Sequence, residues 1–234
     1  MQGTYLLLNF LTILFPIALS FDKKVRFVQY WRHLFPAIAL SGVVFLLWDV
    51  VFTKYGVWSF NPTYVLGIDF QGLPLEEILF FLTVPFACIF IYECLNYYVK
   101  TDFMAPFAKA ITFLLFCLSI VMHVFYGHAL YTVVTFSLCF LLSLGLLWLQ
   151  PKWLGRFYLA YFISLVPFYV VNGLLTSLPV VLYNDAENCG FRVGTIPFED
   201  HFYSLALLLL TTIFYEIFKK RAAWVCCQAI PKAS

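Results

Sequence analysis

The sequence predicts an all-α integral membrane protein of about seven transmembrane helices, built as two parallel three-helix repeats joined by a linking helix. Three observations predict it. The composition is too apolar for a soluble domain, seven long apolar runs are flanked by alternating charges, and the sequence matches itself at a displacement of 123 residues.

Of 234 residues, 63% are hydrophobic and 11% charged, against about 45–50% and 25% in ordinary soluble domains. Lipid can face that much apolar surface; water cannot. Phe occurs 28 times and Tyr 15 times. Such rings fill helix–helix and helix–lipid contacts, line a pocket for a long polyene, or stabilise a carbocation, and composition does not choose among these. The net charge of +2 comes with no basic stripe, which argues against a nucleic-acid partner. The seven cysteines show no C-x-x-C spacing, and most lie in apolar runs as small hydrophobes. Cys226 and Cys227 follow a basic cluster, where lipidation would be possible. The first apolar run lacks a basic leader and a small-residue cleavage site, so it reads as a retained helix.

A span needs about 20 apolar residues. Runs of that kind fall near 3–20, 33–53, 77–98, 105–124, 128–149, 157–181 and 201–218. Lys23, Lys24, Arg26 and Arg32 follow the first, Lys100 and Lys109 the third, Lys152 and Arg156 the fifth, and Lys219, Lys220 and Arg221 the seventh. The intervening loops carry Lys54 and Arg192 but hold Asp69, Glu76, Glu77, Asp185, Glu187, Glu199 and Asp200. The positive-inside rule then predicts a multi-pass protein of the cell membrane, N-terminus outside and C-terminus cytoplasmic. Seven spans satisfy every loop; six would not.

At a displacement of 123 residues, Gly72-Leu-Pro-Leu-Glu-Glu77 falls on Thr195-Ile-Pro-Phe-Glu-Asp200 without a gap. Asn61 falls on Asn184, Gly67 on Gly190, Asp49 on Asn172, and Tyr92-Glu93 on Tyr215-Glu216. The predicted organisation is a first repeat over 1–98, a linking helix within 99–127, and a second repeat with its tail over 128–234. A shift of four helices preserves orientation, so both Pro-x-acid-acid motifs reach the same membrane face.

In these motifs Pro suits a first helical position, and acids in the first turn suit the positive end of the helix dipole. That would explain one motif as an ordinary helix start. Two at matched positions, with ionisable groups at membrane depth, point to function. Asp49 is expected at the depth of Glu76 and Glu77, with Asn172 as its counterpart beside Glu199 and Asp200. Acids crowded into an apolar site favour one neutral carboxylic acid at pH 7, through desolvation and like-charge proximity. That is the proton donor an electrophilic reaction requires. Beside the acids, Trp58, Phe80, Phe81, Asn172 and Tyr203 are the candidate substrate contacts.

Glu93 and Glu216 lie about 17 residues further along their helices, or about 25 Å, too far to join that site. Glu216 is placed to pair with Lys220 at i,i+4. His201 follows an acidic pair as a candidate proton relay; His33, His123 and His128 lie near helix ends. No His/carboxylate spacing argues for a metal, and no G-x-G-x-x-G for a dinucleotide, so no cofactor is expected.

At Pro74-Leu-Glu-Glu77 followed by Phe80-Phe81, at Pro197-Phe-Glu-Asp200, and at Gly56-Val-Trp-Ser-Phe-Asn61, the chain resembles the membrane-embedded lycopene cyclase domain family, in its fused single-chain form. The resemblance covers nearly the whole length. It implies conversion of the linear end groups of lycopene, taken from the bilayer, to β-ionone rings, without redox change and without flavin. It carries the acidic motif onto Glu76, Glu77, Glu199 and Asp200. Asn172 in place of Asp49, and Val181 in place of Trp58, depart from symmetry, so one active site and two are both open.

Competing readings are cyclases of longer carotenoids, cyclases forming ε or γ rings, and a small 3+1+3 transporter. A transporter needs a polar path at mid-bilayer, and the central helices are rich in Phe, Leu and Val. A retinal protein would need a lysine within the last helix, which has none before Lys219.

Overall fold

A computed structural model describes residues 2–228, with side chains through residue 222. The side chains of Cys226 and Cys227, candidates for lipidation, lie outside the described ones. The chain forms α1 (Thr4–Leu19), α2 (Trp31–Tyr55), β1 (Trp58–Phe60), β2 (Asp69–Phe70), β3 (Leu73–Pro74), α3 (Leu75–Tyr98), α4 (Ala108–Tyr126), α5 (Leu130–Leu149), α6 (Leu154–Ser177), β4 (Val181–Tyr183), β5 (Arg192–Val193), β6 (Ile196–Pro197) and α7 (Phe198–Gln228).

Among the described residues, six helices are long and apolar enough to cross a membrane; α1 is a shorter apolar helix. At 16 residues it is about 24 Å long by its rise per residue. It nevertheless joins the two ends of the bundle. Tyr5 N–H bonds the Tyr64 carbonyl in the loop after β1. Val25 and Tyr30, which follow α1, line a cavity with Glu93 and Lys219 at the far ends of α3 and α7. The all-α membrane architecture expected from the sequence is therefore present.

Contacts in the two three-helix sets correspond. α1 packs on α3 as α5 packs on α7, and α2 packs on α7 as α3 packs on α6. α4 lies chiefly against α5. The polar contacts correspond too, at the same displacement of 123 residues. Tyr92 donates to Glu216 at 3.0 Å, and Tyr215 donates to Glu93 at 2.8 Å.

Three short two-stranded sheets, absent from the sequence reading, cap the acidic end of the bundle. β1 and β4 pair antiparallel with Ser59 opposite Leu182, joining the two halves. Matching bonds flank the pair: Asn61 N–H to Val180 O and Asn184 N–H to Val57 O, each 2.9 Å. β2–β3 and β5–β6 are hairpins that lead directly into α3 and α7. In the first, Gln71 and Gly72 both have positive φ (57° and 85°), as a two-residue hairpin turn requires. The predicted sixth helix ran to 181, but α6 ends at Ser177 and Val181 begins β4.

Candidate active site

Each hairpin delivers its helix start to the same place. Pro74 is extended at φ −64° and ψ 149°, and Glu76 and Glu77 occupy the first turn of α3. Glu199 and Asp200 occupy the first turn of α7. All four side chains are buried, as is Asp49. Adjacent helical residues point about 100° apart, and the two acids of each pair accordingly do different things.

The first acids turn to the loops. Glu76 Oε1 accepts the Leu66 N–H at 2.7 Å, and Glu199 Oε1 accepts the Cys189 N–H at 2.7 Å. Thr132 also donates to Glu199 Oε1, at 2.5 Å, while Asn9 donates to the Glu76 carbonyl at 2.9 Å. The sequence placed Glu76 and Glu199 among the catalytic residues. Neither lines the cavity described next, because each carboxyl pins the loop ten residues upstream.

The second acids turn to a common space. Glu77 and Asp200 line one cavity of about 60 Å³ between the two three-helix sets. Trp58, Phe80, Asn172 and Tyr203, all expected at the site, line it as well, with Tyr5, Tyr131, Tyr183 and Phe168. Phe81 does not: it turns into the core against Phe45, with ring centroids 6.4 Å apart. Asp49 stands behind the wall, its carboxyl beside that of Glu77 and bonded to Trp58 Nε1 at 2.6 Å.

Three tyrosines that sequence reasoning missed complete the site. Tyr5 donates to Glu77 Oε2 at 2.5 Å, Tyr131 to Asp200 Oδ1 at 2.6 Å, and Tyr183 to Asp200 Oδ2 at 2.8 Å. Burial and the Asp200 carboxylate push the Tyr183 phenol well above its ordinary range, so it remains an O–H donor. A signal existed: a buried Tyr needs a partner for its hydroxyl, and Tyr131 opens α5 on the acidic face. Among the described residues, Glu76 Oε2 and Glu199 Oε2 are buried with no hydrogen-bond partner.

Rings crowd the acids. Trp58 meets Phe52, Tyr131 and Tyr203 at centroid distances of 5.0, 5.1 and 6.1 Å. Their π-faces attract a cation without offering it a nucleophilic lone pair, apart from the phenol oxygens. His201, the candidate relay, bonds Tyr169 and lines a different cavity among α4, α6 and α7. Glu216 lies 3.9 Å from Lys219, which replaces the expected partner Lys220, and Lys219 bonds Glu93 at 2.6 Å.

The fold is that of a multi-pass membrane protein whose two second acids share one apolar, aromatic cavity. The sequence model of the lycopene cyclase family matches residues 2–95 and 128–218, which together are most of the chain. The protein belongs to that family. The unmatched stretch between the two segments holds α4. Neither the curated proteins nor the solved structures give a match.

Proposed function

We propose that the protein is a lycopene β-cyclase of carotenoid biosynthesis, closing linear ψ end groups into β-ionone rings at a single site between its halves. One observation carries this reading: Glu77 and Asp200, from equivalent helix starts, line one apolar and aromatic cavity.

The chemistry needs an acid, a shielded cation and a base. The acid protonates the terminal double bond, and the neighbouring internal double bond attacks the tertiary cation to close the ring. A base then removes a ring proton. Proton gain and loss balance, so no electrons are exchanged and the net reaction is an isomerisation. We assign the donor to Glu77, which lines the cavity with the Asp49 carboxyl beside it and a single hydroxyl, that of Tyr5, bonded to it. We assign the acceptor to Asp200, whose two oxygens receive the Tyr131 and Tyr183 hydroxyls and so suit the ionised form. Trp58, Tyr131, Tyr183 and Tyr203 face the cation, and Phe80 and Asn172 contact the end group.

The two halves, 1–98 and 128–234, are read as duplicated units linked through 99–127. With the acidic hairpins outside and the lysine-rich ends cytoplasmic, the site sits near the outer face of the cell membrane. The test is expression in a lycopene-accumulating bacterium and chromatography of its pigments. β-Rings are expected. ε- or γ-rings would reassign the proton that Asp200 removes, and unchanged lycopene would overturn the reading.

A further inference from the structure

The acid cavity has an extension. It shares Val84, Phe168, Asn172, Ser204 and Leu208 with a second cavity of about 50 Å³. That second space is lined by Thr12 of α1, by Ala87, Cys88 and Ile91 of α3, and by Ser164 and Val171 of α6. From Glu77 to Ile91 along α3 is about 21 Å at 1.5 Å per residue. An apolar passage therefore leads from the carboxyls toward the middle of the bundle, between α1, α3, α6 and α7.

In the other half the corresponding space is filled. At the displacement of 123 residues, Phe168 corresponds to Phe45, Val171 to Trp48, Asn172 to Asp49 and Phe80 to Tyr203. There Trp48 packs on Phe45 and Tyr203 at centroid distances of 5.3 and 4.9 Å, and Phe45 on Tyr203 at 5.0 Å. Ser41 bonds Thr211 at 2.7 Å and draws α2 onto α7. The indole of Trp48 occupies what Val171 leaves open.

We propose that the passage beside Val171 holds the polyene of the substrate while its end group lies at Glu77 and Asp200, and that Trp48 closes the equivalent space, so end groups are processed one at a time. This rests on the cyclase reading and deepens it. A conjugated chain is stiff and apolar, and it needs a straight, dry slot aligned with the acids. With one slot, a substrate cyclised at one end must leave and return reversed before the second ring forms.

Val171→Trp inserts the plug that the other half already carries. Val166→Trp, on the lipid face of the same helix at 69% exposure, is the control. Both are read in lycopene-producing cells. Each is also combined with Glu77→Gln, and the linear carotenoid retained by the purified protein is measured. Expected are normal cyclisation by Val166→Trp, a loss of about tenfold or more by Val171→Trp, and carotenoid retained by Glu77→Gln but not by the Glu77→Gln, Val171→Trp pair. In a time course, monocyclic carotenoid should appear free in the membrane before the bicyclic product. If Val171→Trp fails to accumulate, Ala87→Leu is read in the same way. Parental cyclisation and retention with the passage filled would overturn the proposal. A parent chain that cyclises nothing would overturn the cyclase reading instead, and the retention arm would still decide the passage.

Discussion

Glu77 in the first turn of α3 and Asp200 in the first turn of α7 line the same cavity, although 123 positions separate them in the chain. Each is the second acid of a Pro-x-acid-acid motif. If they are donor and acceptor, Glu77→Gln and Asp200→Asn should each lower cyclisation by about 10²–10⁴-fold, the range of general acid–base catalysis. Chromatography of pigments, normalised to inserted protein, reads the effect. Parental activity in both variants would remove the pair from the mechanism.

Glu76 and Glu199 should behave differently. Each accepts a loop N–H at 2.7 Å and lies off the cavity. Glu76→Gln and Glu199→Gln keep an acceptor for that N–H but remove its charge, a loss of about 1 kcal/mol. We expect a lower melting temperature and less accumulated protein, with turnover per folded molecule retained. A wild-type melting temperature with abolished turnover would move these acids into the chemistry.

The Tyr131 hydroxyl tests the acceptor. It donates to Asp200 Oδ1 at 2.6 Å. Tyr131→Phe should cost about fivefold in rate, since a hydrogen bond is worth about 1 kcal/mol and a tenfold change needs about 1.4 kcal/mol. Asp49→Asn copies the Asn172 of the other half, and removes the carboxyl beside Glu77. It should slow turnover more than Tyr131→Phe does, read as the initial rate of ring formation.

Much of this was legible in the sequence. The apolar runs predicted the helices, because a span has no alternative to internal backbone bonding. The matched motifs located Glu77 and Asp200 by their shared register. The division of labour within each acid pair was not legible, since it depends on which way each helix start is turned. Hairpins of two residues per strand set that rotation, and their Phe70-Gln71-Gly72-Leu73 signal is short beside the long apolar runs. Phe81 was misplaced for the same reason: one residue beyond Phe80, it faces the core instead of the cavity. The tyrosines were hidden among 15, because hydroxyl pairing depends on contacts between distant helices.

At the opposite end of the bundle, Lys219 holds Glu93 at 2.6 Å, with Glu93 only 3% exposed. Lys219→Met should leave that carboxylate buried without its cation, a loss of about 3 kcal/mol or more. Thermal unfolding in detergent should show it, while the cyclisation rate of folded protein stays near parental. Restored stability in the Lys219→Met, Glu93→Gln double variant would identify the pair as the cause.

The central claim is that ring closure begins with a proton delivered by a buried carboxyl. Purified protein turning over lycopene in D₂O tests it most directly, with mass spectrometry of the products. Each ring formed should carry one non-exchangeable deuterium, so monocyclic product gains one mass unit and bicyclic product two, and Glu77→Gln should give neither. Cyclic product without deuterium, or labelled product made at the parental rate by Glu77→Gln, would contradict it.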